Sequence, residues 1–196
     1  PEATRLLVRS MEEYNCDMVI SDFYRVSGER LAQKGDIEED KVMSRQEFAS
    51  YMIENPADFY YGVLWNKMYR RSIIEEYHIR MDTSISWCED FLFNLEYIRH
   101  AESFFALQVP IYYYLKRRGS LVSQGASITN TVRMKSNIFE YYNEFYKDVY
   151  EDKDYADIRL QVYSFLWAAA KDGGVLFLMI YLVLVLTFGF TLLTSD

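Results

Sequence analysis

The stretch GGVLFLMIYLVLVLTFGFTLLT, residues 173–194, contains no charged residue. At a helical rise of about 1.5 Å per residue it reaches roughly 33 Å, enough to cross the hydrocarbon core of a bilayer. A helix buried in a soluble domain is seldom apolar on every face for so long. The run therefore predicts a transmembrane helix, with a buried core helix or a non-native end as the other reading. It lies at the wrong end for a signal peptide. Lys171 before it and Asp196 after it supply too little charge asymmetry to orient it. The chain stops just beyond the run, as a tail anchor or a truncated chain would.

Residues 1–172 are a different kind of sequence. Even with the tail included, 26% of the 196 residues are charged and 51% are hydrophobic, which excludes disorder and collagen-like repeats. The net charge of -8 is the wrong sign for a general nucleic-acid binder. Cys16 and Cys88 form no CxxC and no zinc-like spacing, so neither a disulfide framework nor a structural zinc site is expected. The 18 Tyr and 13 Phe predict a stacking-rich core or a stacking-rich cleft, and composition does not choose between them.

Hydrophobic patterning predicts an alternation of helices and strands. Residues 2–14 read as an amphipathic helix with Leu6, Leu7, Met11 and Tyr14 near one face. DMVISDFYRV, residues 17–26, reads as one strand, followed by a turn at 27–30 and a short return strand at 31–34. Ser44 and Glu47 fit a capping box that opens a helix ended by Asn55-Pro56. Residues beyond Pro56 are irregular. A helix is expected from Glu89 to His100, then strands at 103–109 and 111–115 split by Pro110, a basic loop at 116–124, and helices at 129–150 and 155–171. This is an α/β or α+β chain built on one mixed sheet.

Three segments carry residues suited to chemistry. In Trp87-Cys88-Glu89-Asp90 two carboxylates open a helix. The helix dipole favours acids there by about 0.3–1 kcal/mol, which is one explanation. The other is a general base facing a cleft. Trp65-Asn66-Lys67-Met68-Tyr69-Arg70-Arg71 combines amide, ammonium and guanidinium groups with aromatic surface, as a site for polyhydroxylated or phosphorylated ligands would; a helix start with a solvated basic face has the same composition. Tyr112 to Ser120 is an aromatic strand feeding the loop that carries Arg117 and Arg118. Guanidinium groups give bidentate bonds to a diphosphate, and an exposed loop or contact with anionic lipid are the alternatives. His78 and His100 are isolated and read as structural or exposed. Cys88 beside Glu89 does not read as a nucleophile, because a carboxylate raises a thiol's pKa. Asp22 is either a cleft residue or a turn cap.

The order and spacing of CDMVISDFYRV, NKMYRRSII, ISWCEDFLFNLEYI and IYYYLKRRGSLVS over residues 2–124 resemble the second half of a family 2 glycosyltransferase catalytic domain of the GT-A type. The resemblance implies a partial Rossmann-like mixed sheet with flanking helices. It implies that Asp90 deprotonates an acceptor hydroxyl that attacks a nucleotide-sugar with inversion. Glu89 would orient Asp90 or contact the acceptor, and Trp87 would stack on a sugar. Asn66 and Lys67 would line the cleft, and Arg117, Arg118 and Ser120 would cover the diphosphate. The divalent metal of that family, magnesium or manganese, would need an Asp-x-Asp; the sequence offers only Asp152-Lys153-Asp154, between two late helices.

The expected organisation is thus an acceptor-side part at 1–126, a helical extension at 127–172 and a transmembrane helix at 173–194. A chain that begins about where sequence following the metal motif would resume reads as a fragment with little activity of its own. Its expected partners are a nucleotide-sugar donor, a saccharide or lipid-linked acceptor for surface polysaccharide or glycolipid synthesis, and the membrane, with the soluble part cytoplasmic. The competing readings are a non-catalytic, membrane-anchored degenerate transferase or interaction module, and a peripheral phosphate- or lipid-binding domain.

Overall fold

The computed structural model describes residues 2–56, 58–83, 88–115 and 128–172. Helix α1 (Glu2–Tyr14) leads into strand β1 (Met18–Ser21), whose residues are all buried. A strand buried on both faces must be covered on both, and the alternation of β1 shows how. Val19 points to Leu7, Cys16 and Phe105, beneath Met11 and Tyr14 of α1. Met18 and Ile20 point the other way, into the main core with Phe104 and Ala106. Tyr14 stacks on Phe105 with ring centroids 3.8 Å apart.

The expected strand at 17–26 is two strands in two sheets. Strand β1 pairs in parallel with β6 (Ser103–Leu107) and antiparallel with β5 (Lys67–Tyr69), and the short β4 (Met43–Ser44) completes a four-stranded sheet of order β4-β6-β1-β5. Strand β2 (Phe23–Ser27) lies between β3 (Arg30–Lys34) and β7 (Tyr113–Leu115) in a second, three-stranded sheet. One mixed sheet is therefore corrected to two. The break falls at Asp22, and the chain around Pro110 breaks with it. Asp22 N–H donates to Leu107 O at 3.1 Å, while Asp22 O accepts from Ile111 N–H at 3.1 Å. Both strands turn together and no backbone bond is lost at the corner.

Helix α2 (Arg45–Glu54) begins with the predicted capping box: Ser44 Oγ accepts from Glu47 N–H at 3.2 Å, and Glu47 Oε2 accepts from Ser44 N–H at 2.8 Å. The irregular segment resolves into α3 (Phe59–Gly62), capped by Asp58, then β5 and α4 (Arg71–Glu76). Helix α5 (Glu89–His100) packs on α6 (Ile128–Val149), which runs beside α7 (Asp152–Asp172). Asp152 and Asp154 belong to the first turn of α7 rather than to a linker, where the helix dipole favours acids. Tyr142, Phe145, Tyr146 and Phe165 sit in the same core as Met18, Phe48 and Phe104. Tyr146 Oη donates to Ala49 O at 2.9 Å, tying α6 to α2.

The apolar run at 173–194 lies outside the described residues. Among the described residues no helix is long and apolar enough to cross a membrane.

Candidate active site

Helix α5 opens at Cys88, whose backbone lies in the left-handed region (φ 63°, ψ 15°) and whose side chain makes no capping bond. A β-carbon makes that conformation costly. The turn delivers Glu89 and Asp90 into the first helical turn. Asp90 is half-buried. Its carboxyl is held above the ordinary aspartate range, first by burial and then by the like charge of Glu89. The Leu64 backbone and the positive charge of Lys67 act in the opposite sense.

Leu64 and Lys67 belong to one hydrogen-bonded layer that joins residues 60–67 to α5. Lys67 is only 7% exposed, and its Nζ donates to Tyr60 O at 2.8 Å, Val63 O at 2.6 Å and Asn66 Oδ1 at 2.8 Å. Burial pushes its pKa well down, while Asp90 and Asp58 push it up. The geometry favours the ammonium, which has three hydrogens for three oxygens; a neutral amine would turn its lone pair toward one of them. Asn66 is fully buried and donates to Ser21 O and Tyr60 O, both at 3.1 Å. Asn94, one turn after Asp90, donates to Tyr61 O at 3.0 Å, Gly62 O at 2.9 Å and Val63 O at 3.3 Å. Its Oδ1 accepts from Tyr69 Oη at 2.6 Å.

Asn66 and Lys67 were expected on the cleft wall. The structure places both inside, because β5 is paired along β1 in the register Ile20 to Lys67 and the side chains enter the core layer. Only the end of that segment resembles a basic helix start: Arg71 opens α4 exposed, and Arg70 turns back so that Nε donates to Asp17 Oδ1 at 3.1 Å. Trp87, Arg117, Arg118 and Ser120 lie outside the described residues. Glu89 and Asp90 share the first turn of α5. His100 is held against Glu96 at 3.2 Å and stacks on Tyr77.

Asp22 is neither a turn cap nor an open cleft residue. It is 6% exposed and accepts from Gln33 Nε2 at 2.8 Å. Burial raises its pKa, the Gln33 bond lowers it and Glu38 raises it. Gly35 leaves room for this carboxylate, since a β-carbon there would lie 2.0 Å from Asp22 Oδ1.

Asn94 and Tyr69 were missed in the sequence. The available signal was the Asp90–Asn94 spacing, which puts both on one face of a helix. Trp65 was named only as aromatic surface, and its stacking geometry was not anticipated. It stacks on Tyr112 at 4.2 Å and meets Phe23 edge-on at 4.9 Å, so the residue after Leu64 is anchored in a ring cluster that joins the two sheets. Tyr142 and Tyr146 thus bear out a stacking-rich core, while Tyr112 stacks on Trp65 at the surface, 42% exposed. Among the described residues no three acidic, His or Cys side chains gather closely enough to hold a metal ion, and Asp152 and Asp154 are exposed on α7.

No family model matches the chain. It is 27% identical over 116 residues to the uncharacterized glycosyltransferase EpsJ of Bacillus subtilis (strain 168), a match covering 59% of this chain and 34% of EpsJ. The chain thus spans about a third of the length of that curated relative. Among solved structures it is similar to S. aureus TarS 1-349 in complex with UDP-GlcNAc, with a TM-score of 0.57 and 17% identity over 87% of this chain and 45% of TarS. A second structure of TarS 1-349 gives a TM-score of 0.53 at 15% identity, covering 87% of this chain and 43% of TarS. The mixed α/β fold is similar to that of a glycosyltransferase.

Proposed function

We propose that this chain carries the acceptor side of an inverting glycosyltransferase of the family 2, GT-A kind, with Asp90 as its general base. The observation that supports this most is the setting of Asp90: a half-buried carboxylate at the start of α5, raised above its ordinary value by burial and by Glu89. A carboxylate so raised holds a proton better than a free aspartate, which suits a general base. The reaction we infer moves a sugar from a nucleotide-sugar to a hydroxyl. Asp90 takes the hydroxyl proton, the oxygen bonds to the anomeric carbon from the face opposite the leaving group, and the bond to the nucleoside diphosphate breaks. The likeness to TarS bound to UDP-GlcNAc supports a nucleotide-sugar as donor. A saccharide or lipid-linked acceptor in surface polysaccharide or glycolipid synthesis is the acceptor class proposed. Glu89 orients Asp90 or meets the acceptor, and Trp87, Arg117, Arg118 and Ser120 are proposed ligand contacts. The divalent metal expected of such enzymes has no ligand set among the described residues.

The test is sugar transfer from a panel of radiolabelled nucleotide-sugars, UDP-GlcNAc included, by the protein that contains this chain, native and Asp90→Asn. Loss of transfer in a folded variant is expected. Turnover retained within a factor of about ten removes Asp90 from the role, since general bases contribute roughly 10²–10⁴-fold.

The run at 173–194 supports a second proposal, that it spans the membrane and keeps the catalytic part at the cytoplasmic face beside its acceptor. Membrane sedimentation of the chain with and without residues 173–196 tests it, and equal recovery in the membrane fraction would count against it.

A further inference from the structure

We propose that one face of the β3-β2-β7 sheet is a docking surface that lies on the headgroup region of an anionic bilayer. The choice of a bilayer rests in part on the reading of residues 173–194 as a membrane span. The surface itself is independent of Asp90 and its chemistry.

The register of the sheet builds this face. Val26 on β2 stands opposite Leu31 on one side and Leu115 on the other. The neighbouring row on the same face is Gln33, Tyr24 and Tyr113. Directly opposed residues of paired strands share a face. An aliphatic row thus lies beside a row with two tyrosines, whose ring centroids are 5.0 Å apart. Gln33, the polar member, is drawn back onto Asp22 at 2.8 Å. The opposite face of the sheet is covered where Phe23 meets Phe59 and Trp65, with Tyr114 beside them. On the proposed docking face Leu31, Tyr113 and Leu115 stay 56%, 57% and 54% exposed.

Single exposed apolar residues are ordinary, but a contiguous patch marks a contact surface. Charge selects the occupant. Strand β2, its turn and β3 hold Arg25, Arg30 and Lys34 against Glu29, in a chain whose net charge is -8. Arg25, Arg30 and Lys34 are all exposed. Strand β3 is the edge of the sheet and every one of its residues is exposed. Charges such as Arg30 and Lys34 oppose the addition of a further strand there, which argues against pairing with a second copy. A free anion would use the charges and leave both apolar rows in water. A bilayer interface uses all three features. Aliphatic side chains enter the acyl boundary, tyrosines sit at headgroup depth, and basic groups meet lipid phosphates, the long ones reaching outward from the apolar rows.

The test maps backbone hydrogen exchange in the full chain reconstituted into liposomes of phosphatidylcholine, with and without phosphatidylglycerol. With phosphatidylglycerol present, exchange over β2, β3 and β7 is expected to slow by about tenfold relative to phosphatidylcholine alone, and the gain should fade as salt is added. Leu31→Gln should remove most of this protection. Ala32→Gln, one residue along and on the other face, should keep it. Leu115→Gln reads the same surface from β7 if Leu31→Gln fails to fold. A native chain whose exchange is the same in the two lipids overturns the proposal. So does equal loss of protection in folded Leu31→Gln and Ala32→Gln. Protection that follows protein concentration instead of lipid composition marks a second copy on this face and also overturns it. Failure of the span reading shows separately, as equal membrane recovery with and without residues 173–196.

Discussion

Helices α2 and α5 both begin with an acid in the first turn, and the two acids are handled in opposite ways. At α2 the carboxylate of Glu47 closes a ring with Ser44 and also accepts from Lys41 Nζ at 2.9 Å. Its pKa falls to about 2, chiefly through the Ser44 backbone bond. At α5 the capping position is Cys88, in a left-handed conformation and without a capping bond, and Asp90 is pushed upward by burial and by Glu89. The same sequence signal, an acid at a helix start, thus marks a structural bond in one place and, on the function proposed, a general base in the other. What separates them is the residue at the capping position, Ser44 or Cys88. A serine turns its oxygen onto the free N–H groups and draws the acid in reciprocally. A cysteine held at positive φ aims the turn without closing it.

The largest expected difference between these two starts is in catalysis. Asp90→Asn should lower sugar transfer by about 10²–10⁴-fold. Glu47→Gln should leave transfer within about twofold at a temperature where both proteins are folded, since a surface cap acts on stability and not on the reacting atoms. Initial rates with a nucleotide-sugar donor, measured beside circular dichroism, check both. Equal losses in the two variants would mean that Asp90, too, is only a helix-start acid.

What was legible in the sequence follows the range over which each feature is built. The capping box was legible because both partners lie within four residues of each other. Helices α5, α6 and α7 were legible from their periodicity. The break at Asp22 was not: it depends on Leu107 and Ile111, far along the chain, and on the gap that Gly35 leaves for the carboxylate. Uninterrupted β propensity through DMVISDFYRV hid it. Lys67 was misplaced for a related reason. Two of its three partners are main-chain carbonyls, which have no letter in a sequence, and its neighbours Arg70 and Arg71 suggest an exposed basic face. Asp90 was legible as a candidate, whereas Leu64, just after α3, and Lys67, on β5, act on it from more than twenty residues away, and only the fold brings them near.

A smaller contrast concerns stability at the two caps. Ser44→Ala removes the oxygen that Glu47 N–H uses and should cost about 1 kcal/mol, a drop of roughly 2–4 °C in Tm for a chain of this size. Cys88→Gly should go the other way. Relief of the left-handed strain is worth about 1–2 kcal/mol, and the greater freedom of glycine in the unfolded chain returns roughly half to one of it. A net rise of a degree or two in Tm is expected by calorimetry. A fall would show that the contacts of the Cys88 side chain outweigh its strain.

The finest contrast is in pH, where the two acids should have opposite signs. Glu47 has a folded pKa below its unfolded value of 4.5, so its contribution is complete above that value and is lost as the pH falls toward about 2. The Tm difference between the native chain and Glu47→Gln should therefore shrink on acidification through that window. Asp90 has a folded pKa above its unfolded value of 3.8, so the proton binds the folded chain more tightly. Its contribution is present below 3.8 and is lost as the pH rises through the folded value, beyond which the ionised group weighs against the fold. Asp90→Asn should thus gain in Tm over the native chain as the pH rises above 3.8 through the folded value, whereas Glu47→Gln falls behind it in the lower window, as the pH rises from about 2 to 4.5. Parallel curves for the two variants would erase the distinction between a carboxylate spent on a cap and one held ready for a proton.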